Sequence, residues 1–198
     1  MTEKRRSPAP TERKRDPDRT RERILSAALE EFGAHGYAGA RVSSIAKRAG
    51  VNQQLISYYF DGKAGLYRTL SDRWREVSAT INFDQASLAE VVTGFLAESE
   101  ERRQWARLLV WEGLTGESGA DDGGFFASMV SDLRRRQESG EISSNLDPAF
   151  VLLMLFAAIL APAALPQVVR GATGLPADSP EFLAGYRAEL HRVIERLR

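Results

Sequence analysis

The chain has 198 residues, of which 43% are hydrophobic and 27% charged, so it can bury a core as one or two small domains. It contains no cysteine, which excludes disulfides and thiolate metal sites and is typical of a reducing compartment. The first residues carry charges with no apolar segment behind them, so we expect no secretory signal and a cytoplasmic location.

The net charge of zero hides an asymmetry between the two ends of the chain. Residues 1–75 hold 16 lysines and arginines against 9 acidic residues, a net charge of +7. Residues 76–198 hold 11 against 18, a net charge of −7. A basic front end favours contact with phosphates, whereas an acidic body is repelled by a polyanion.

The chain begins with residues 1–19, which are rich in Arg, Lys, Pro and Asp and offer almost nothing to bury. We interpret them as a disordered basic arm, either a solvated tail or a segment lying along DNA. Thr20 can then cap a first helix that extends to about His35. Four apolar residues on this helix repeat at helical spacing: Leu25, Ala28, Leu29 and Phe32.

Residues 42–60 predict two short helices, 42–49 and 53–60, joined by a tight turn. Gly50 suits the left-handed conformation just past a helix end, and Asn52 suits the cap of the next helix. The second helix would bury Leu55, Ile56 and Tyr59 and display Gln53, Gln54, Ser57 and Tyr58. Two short helices that cross at a glycine turn, with amides and hydroxyls displayed on the second, are typical of a helix-turn-helix for duplex DNA.

A longer fourth helix should start at the Asp61-Gly62 turn and end near Thr80 or Asn82. Apolar periodicity predicts three more helices around residues 88–96, 105–111 and 126–136, with a glycine-rich loop over 113–124. The third of these ends in Arg134-Arg135-Arg136, which we interpret as a solvated helix end because cations there favour the helix dipole.

The run from Ala149 to Leu165 is apolar throughout, and Asp147-Pro148 supplies a cap and a first-turn proline. A helix that is apolar on every side is buried on every side, so one face should meet another subunit. A membrane segment is the alternative, but the run is short for a bilayer and Pro162 interrupts it. Residues 166–178 should form a connection, and a last helix should open at Ser179-Pro180.

Residues 21–70 resemble the DNA-binding domain of the TetR (tetracycline-repressor-like) family. The resemblance rests on several short stretches in matching order and spacing: Ile24-Leu25-Ser26-Ala27-Ala28, Phe32, Gly36-Tyr37, Ile45-Ala46, Ala49-Gly50-Val51, Ile56-Ser57-Tyr58-Tyr59-Phe60, Lys63 and Leu66. It implies an all-α fold with a disordered arm over 1–19 and a three-helix headpiece over 20–65. Residues 66–198 would form a helical domain for ligand binding and dimerisation, with no cofactor.

The resemblance and the helix pattern together indicate nine candidate DNA contacts. They are Arg41, Val42, Ser43, Asn52, Gln53, Gln54, Ser57, Tyr58 and Lys63. A glutamine can pair with adenine in the major groove, so Gln53 and Gln54 are the candidate base readers. Arg41, Ser43, Tyr58 and Lys63 suit phosphates. Family members often carry Thr or Ser in place of Arg41, a small residue in place of Gln54 and Tyr in place of Ser57.

The resemblance also implies a small-molecule effector and a homodimer. Six side chains are candidates for an apolar or aromatic ligand: Trp74, Phe95, Trp105, Trp111, Phe126 and Met129. The two subunits would pair through the last two helices, about 148–165 and 180–197, as a four-helix bundle. The expected function is a repressor that binds a palindromic operator and is released by the ligand.

Three alternatives compete with this interpretation. An enzyme is disfavoured because no metal, nucleotide-binding or nucleophile motif is present, and the chain has only two histidines. The interpretation as a membrane protein depends only on the apolar run Ala149–Leu165. A DNA-binding protein without a ligand, such as an architectural protein, stays open, because aromatic stripes at helical spacing are also typical of plain core packing.

Overall fold

The computed structural model describes residues 10–79, 86–96, 100–116 and 124–198, and within these ranges it contains helices and no strand. The helices are α1 (Pro10–Gly39), α2 (Val42–Ala49), α3 (Gln53–Phe60), α4 (Gly62–Ala79), α5 (Leu88–Gly94), α6 (Glu100–Thr115), α7 (Phe125–Glu138), α8 (Pro148–Ala164), α9 (Pro166–Thr173) and α10 (Pro180–Glu195). The prediction of an all-α fold is confirmed.

The amino-terminal core lies between α1, α2, α3 and α4, with α6 packed across α1. The predicted stripe of α1 is buried, with Ala28 and Phe32 fully inaccessible to solvent. Ile45 and Ile56 enter the same cluster from α2 and α3, as their periodicity predicts. Trp105 and Leu108 of α6 complete it, so the headpiece and the body share a packed seam.

The carboxy-terminal core is a second cluster formed by α5, α7, α8 and α10. Val151 and Leu155 enter it from α8, and Leu190 and Ile194 enter it from α10. Two predicted caps hold these helices in place. Asp147 accepts from the Ala149 N–H at 2.8 Å, and Ser179 accepts from the Phe182 N–H at 3.2 Å.

Several boundaries differ from the sequence-based expectation. Helix α1 begins at Pro10 rather than at Thr20, so part of the arm expected to be disordered is helical, while residues 1–9 lie outside the described residues. The helix breaks at Gly36, where φ is 67° and ψ is 175°. Helix α6 continues to Thr115, inside the expected loop, and the expected connection over 166–178 contains the short helix α9.

The interpretation of Arg134-Arg135-Arg136 as a solvated helix end is wrong for its last residue. Arg136 is only 6% exposed. Its guanidinium pairs with Asp132 at 2.8 Å and with Glu141 at 2.6 Å, and it donates to the Ala86 carbonyl at 3.0 Å. Asp132 lies one turn earlier on α7 and Glu141 lies in the turn after it, and a rule for helix ends considers neither partner.

Helix α8 bears on the membrane alternative. No single helix in the described part of the chain is long and apolar enough to cross a bilayer. Helices α8 and α9 meet that length and composition only when taken together, and they are bent by 87° at their junction.

Candidate DNA-binding surface and ligand cavity

The turn between α2 and α3 has the geometry that its residues predict. Gly50 adopts φ 63° and ψ 41°, a left-handed conformation that a residue with a Cβ rarely takes. The Val51 N–H donates to the Ala46 carbonyl at 3.0 Å, which closes the end of α2. Asn52 caps α3 by accepting from the Gln54 N–H at 3.0 Å. The chain therefore leaves α2 and enters α3 at a defined angle.

Arg23 of α1 provides a second support for this turn. Its guanidinium donates to the Ala49 carbonyl and also reaches the Gly50 carbonyl at 3.4 Å. A cation at the carboxyl end of a helix is favoured by the helix dipole and satisfies carbonyls that lack helical partners. Arg23 thus fastens α1 to the end of α2, which fixes where α3 begins.

A close backbone approach holds the other end of α3. Asp61 and Gly62 both have positive φ, 58° and 81°, and they turn the chain sharply into α4. A Cβ built on Gly65 would lie 1.4 Å from the Phe60 carbonyl oxygen, so only glycine fits at this crossing. The position of α3 is therefore determined at both ends by backbone contacts.

The outward face of α3 is polar. Gln53, Gln54 and Ser57 are exposed, and the Tyr58 ring is 83% exposed, as the sequence predicts. The opposite face is apolar, and Ile56 and Phe60 are the fully buried members of that face. The fold leaves the side chains of this polar face accessible to a partner.

The start of α2 presents Arg41 and Ser43, which are exposed, whereas Val42 is half-buried against the headpiece core. Arg41 does not cap α2 with its side chain. The buried Glu31 carboxylate instead accepts from the Arg41 N–H at 3.2 Å, so the first turn of α2 is held from α1. The Arg41 side chain thus serves no capping function within the described contacts.

Lys63 is engaged inside the headpiece. Its ammonium donates to the Ala38 carbonyl at 3.1 Å and lies 4.7 Å from the centroid of the Tyr37 ring. An ammonium has three N–H groups, so a further acceptor can still bind. Lys63, which is half-buried, therefore joins the start of α4 to the end of α1.

A cavity of about 190 Å³ lies between α4, α5, α6, α7 and α8. Its walls are mainly apolar and aromatic, and they include Trp74, Phe95, Trp105, Phe126 and Met129, which are five of the six predicted ligand residues. The sixth, Trp111, lies outside the cavity. Its ring is 38% exposed and faces α1, where a Cβ on Gly36 would lie 3.2 Å from it.

The cavity is connected to the headpiece through aromatic packing. Tyr67 of α4 lines the cavity and also packs against Phe32 and Tyr37, with ring centroids 5.7 Å and 5.1 Å apart. Trp74 and Trp105 lie 5.4 Å apart across α4 and α6. Tyr67 therefore belongs both to the cavity wall and to the headpiece core.

Charged side chains also line the cavity. Glu112 of α6 is half-buried, and burial raises the pKa of its carboxyl to about 6. Arg75, Arg102 and Asp132 reach the cavity wall as well. Among the described residues, no group of three or more His, Cys, Asp or Glu is placed to hold a metal ion.

Comparison with known proteins agrees with this arrangement. The sequence profile described as "Bacterial regulatory proteins, tetR family" matches residues 24–70, and the profile "Tetracyclin repressor-like, C-terminal domain" matches residues 88–196. The chain belongs to the TetR family. It is therefore a DNA-binding transcriptional regulator, and neither the family nor the relatives below are enzymes.

Individual relatives cover most of this TetR-family chain. The HTH-type transcriptional repressor SCO4008 of Streptomyces coelicolor is 32% identical over 162 residues, which cover 79% of this chain and 84% of the repressor. The HTH-type transcriptional regulator SrpR of Pseudomonas putida is 28% identical, with 90% and 95% of the two chains covered. Among solved structures, the transcriptional regulator SCO4942 from Streptomyces coelicolor is 29% identical, with a TM-score of 0.68 over 89% of this chain and 97% of that one.

Sequence reasoning missed three basic residues of the TetR headpiece. Lys47 is exposed and lies four residues after Ser43, so both share the outer face of α2. Arg21 stacks over the Phe60 ring at 5.3 Å, and Arg23 holds the end of α2 as described above. The spacing from Ser43 could have indicated Lys47. No sequence signal pointed to the two α1 arginines, because their partners lie on other helices.

Proposed function

We propose that the protein is a homodimeric repressor that binds an inverted-repeat operator through α3 and is released by a small apolar or aromatic ligand. The observation that carries the proposal is the exposed amide face of α3 on a headpiece whose backbone is held at both ends. A regulator of transcription acts where the chromosome lies, so the same proposal places the protein in the cytoplasm.

The base contacts are assigned to Gln53 and Gln54 at the start of α3. Both side chains are exposed, and each can pair bidentately with adenine N6 and N7, worth about 1–3 kcal/mol of discrimination. The phosphate contacts are assigned to residues on the rim around them. These are Arg41, Ser43, Lys47, Ser57, Tyr58 and Lys63, with Asn52 holding the start of α3.

The dimer interface is assigned to the outer face of α8. Phe150, Leu153 and Met154 are 66%, 63% and 58% exposed, and with Ala157 they repeat at i, i+3, i+4 and i+7. Val193 of α10 is also 57% exposed. A continuous exposed apolar stripe of this kind is typical of a protein interface, and pairing α8 and α10 about a two-fold axis would bury it as a four-helix bundle.

Ligand control is assigned to the cavity between α4 and α8. A ligand can regulate only if it binds one spacing of the two headpieces better than another. The cavity supports this requirement, because Tyr67 forms part of its wall and also packs against the headpiece core. The cavity also favours this proposal over an architectural protein, which has no use for a ligand.

The proposal is tested by selecting binding sites from random duplex DNA with the purified protein and with Gln53→Ala. The wild-type protein should enrich an inverted repeat, because a symmetric dimer reads two half-sites. Gln53→Ala should relax the preference at one base pair in each half-site, at a cost of about 1–3 kcal/mol.

Two controls complete the selection experiment. Lys63→Ala should lower the affinity for all DNA sequences to the same extent, because phosphates carry no sequence information. Gln167→Ala makes the same substitution as Gln53→Ala at an exposed position on α9 and should change nothing. Enrichment of no inverted repeat, or an unchanged preference in Gln53→Ala, would contradict the proposal.

A further inference from the structure

The two acidic side chains in the cavity wall, Asp132 and Glu112, differ in their ion-pair and hydrogen-bond partners. The Asp132 carboxylate pairs with Arg135 and Arg136, each at 2.8 Å. Within the described part of the chain, the Glu112 carboxylate has neither a hydrogen-bond donor nor a counter-charge. Of the two acidic groups in the cavity wall, Glu112 is thus the one available to a ligand.

The two arginines in the cavity wall already interact with protein acceptors. Arg75 pairs with Asp72 at 3.1 Å. Arg102 donates to the Gly94 carbonyl, at the last residue of α5. An anionic ligand would have to compete with these interactions, whereas a cation at Glu112 would displace no partner among the residues that the structure describes.

The position of Glu112 directs it toward aromatic walls. Trp105, Leu109 and Glu112 are spaced i, i+4 and i+7 on α6, so they share the face that borders the cavity. Aromatic side chains from α4, α7, α8 and the residue that follows α5 line the same space: Tyr67, Trp74, Phe95, Phe125, Phe126 and Phe156. Aromatic faces attract organic cations, and a carboxylate among them adds a full opposite charge.

We propose that the effector of this regulator is an organic cation, an amine or quaternary ammonium on an apolar or aromatic body, whose charge is bound by Glu112. This inference rests on the proposed function, because it names the chemical class of the ligand for the same cavity. The aromatic walls bind the body of the ligand and contact its cationic head, and Glu112 neutralises its charge.

The ionisation of Glu112 is consistent with this role. Burial raises the pKa of its carboxyl to about 6, because the surrounding side chains remove water that would stabilise the charged form. At neutral pH the carboxylate is still mostly ionised, and a bound cation would remove much of the desolvation cost. The apolar surroundings also strengthen the attraction between opposite charges relative to water.

The test compares three small probes of similar shape and different charge. Trimethyl(phenyl)ammonium is the cation, tert-butylbenzene is its neutral counterpart and benzenesulfonate is an anion. Dissociation constants are measured by calorimetry at pH 7.5 for the wild-type protein, for Glu112→Gln and for Glu101→Gln. Glu101 is exposed on the same helix and does not line the cavity, so it is a matched control for the loss of one charge.

The wild-type protein and Glu101→Gln should bind the cation at least about tenfold more tightly than the neutral probe. Glu112→Gln should lose that preference while its affinity for the neutral probe stays the same. The unchanged neutral affinity also shows that the variant is folded. Equal binding of cation and neutral probe by the wild-type protein, or an unchanged preference in Glu112→Gln, would overturn the inference. Preferential binding of benzenesulfonate would overturn it in favour of Arg75 and Arg102.

Measuring release of the selected operator DNA separates this inference from the proposed function. If tert-butylbenzene binds and releases DNA but charge makes no difference, the cation assignment fails and the ligand-controlled repressor stands. If no probe binds and DNA binding is intact, the cation assignment fails and the operator-binding part of the proposed function stands.

Discussion

The headpiece and the body of this protein are packed in different ways. In the headpiece, the apolar residues of α2 and α3 turn inward and leave a polar outer face on α3. In the body, α8 is apolar all round, so its outer face remains exposed even though Val151 and Leu155 are buried. The body also encloses a cavity lined by aromatic side chains.

This difference indicates which partner each region requires. A closed core with a polar surface needs no further burial, so its partner can be a polar, charged polymer such as DNA. An exposed apolar stripe and an apolar cavity both leave hydrophobic surface in water, which favours a second protein chain and a small molecule. Substitutions in the two regions should therefore have different consequences.

The largest effect is expected from Leu153→Asp on the exposed stripe of α8. In a two-fold interface each residue occurs twice, and two buried charges without partners should weaken the dimer by about 4 kcal/mol or more. Sedimentation at micromolar concentration should then show a monomer. Leu114→Asp, at a position on α6 that is 76% exposed, is the control and should leave the dimer intact. Dimers of equal stability in both variants would assign the interface elsewhere.

The next effect concerns the buried ion pairs of the body. Arg136→Met should lower the free energy of unfolding by about 3–5 kcal/mol, because it leaves Asp132 and Glu141 without their shared partner. Arg134→Met, two residues earlier at an exposed position, should change it by less than about 0.5 kcal/mol. Chemical denaturation measures both. Similar losses in the two variants would mean that the Arg136 pairs do not stabilise the fold.

A smaller effect is expected where α3 and α4 cross. Gly65→Ala should cost about 1–3 kcal/mol, because the new Cβ overlaps the Phe60 carbonyl and forces the helices apart. DNA affinity should fall with it, since α3 is displaced. Gly113→Ala, on α6 with open space around it, should gain about 0.5–1 kcal/mol and bind DNA normally. Full operator affinity in Gly65→Ala would show that the crossing does not position α3.

The smallest effect concerns Glu112 in the ligand-free protein. Its folded-state pKa of about 6 lies above the ordinary value of 4.5, so the fold prefers the protonated carboxyl. Stability should therefore fall as pH rises from about 4.5 to 6 and stay lower above that window. Glu112→Gln should be more stable than the wild-type protein by at most about 1 kcal/mol at pH 7.5, a figure reduced because the group is half-exposed.

The pH dependence of that difference is the control. As the pH falls below 4.5 the wild-type carboxyl becomes protonated in both states, so the stability gain of Glu112→Gln over the wild-type protein should shrink towards zero. Glu101→Gln, at an exposed position on the same helix, is the control for the substitution itself. Thermal unfolding of the three proteins between pH 4 and pH 8 measures this, and a gain that is equal at both ends of the range would contradict the burial of Glu112.

Much of the headpiece could be predicted from the sequence because its signals are local. Gly50 ends α2 and Asn52 caps α3. The apolar periodicity within each helix predicts its buried face, which carries Ile45 on α2 and Ile56 on α3. The polar face of α3 follows from the same periodicity. The supports from α1 could not be predicted, because Arg23 meets the end of α2 only after three helices have packed.

The candidate cavity was less predictable for the same reason. Trp105 and Trp111 both lie on α6, and both were predicted from the sequence to contact the ligand. They lie six residues apart, which places them on different faces of the helix, so Trp105 faces the cavity and Trp111 faces α1. Glu112 was not among the predicted site residues, because a single acidic residue on a helix is usually solvent-exposed.

Local sequence signals are enough to predict the all-α class, the helix-turn-helix, the caps of α8 and α10, and an apolar helix that a small domain cannot bury alone. Caps, turns and periodicity depend on residues within a few positions of one another, so they can be read along the chain. The burial of Arg136, the separation of Trp105 from Trp111 and the placement of Glu112 among aromatic rings become visible in the folded protein. These features depend on residues that are distant in the chain and meet only when the helices pack.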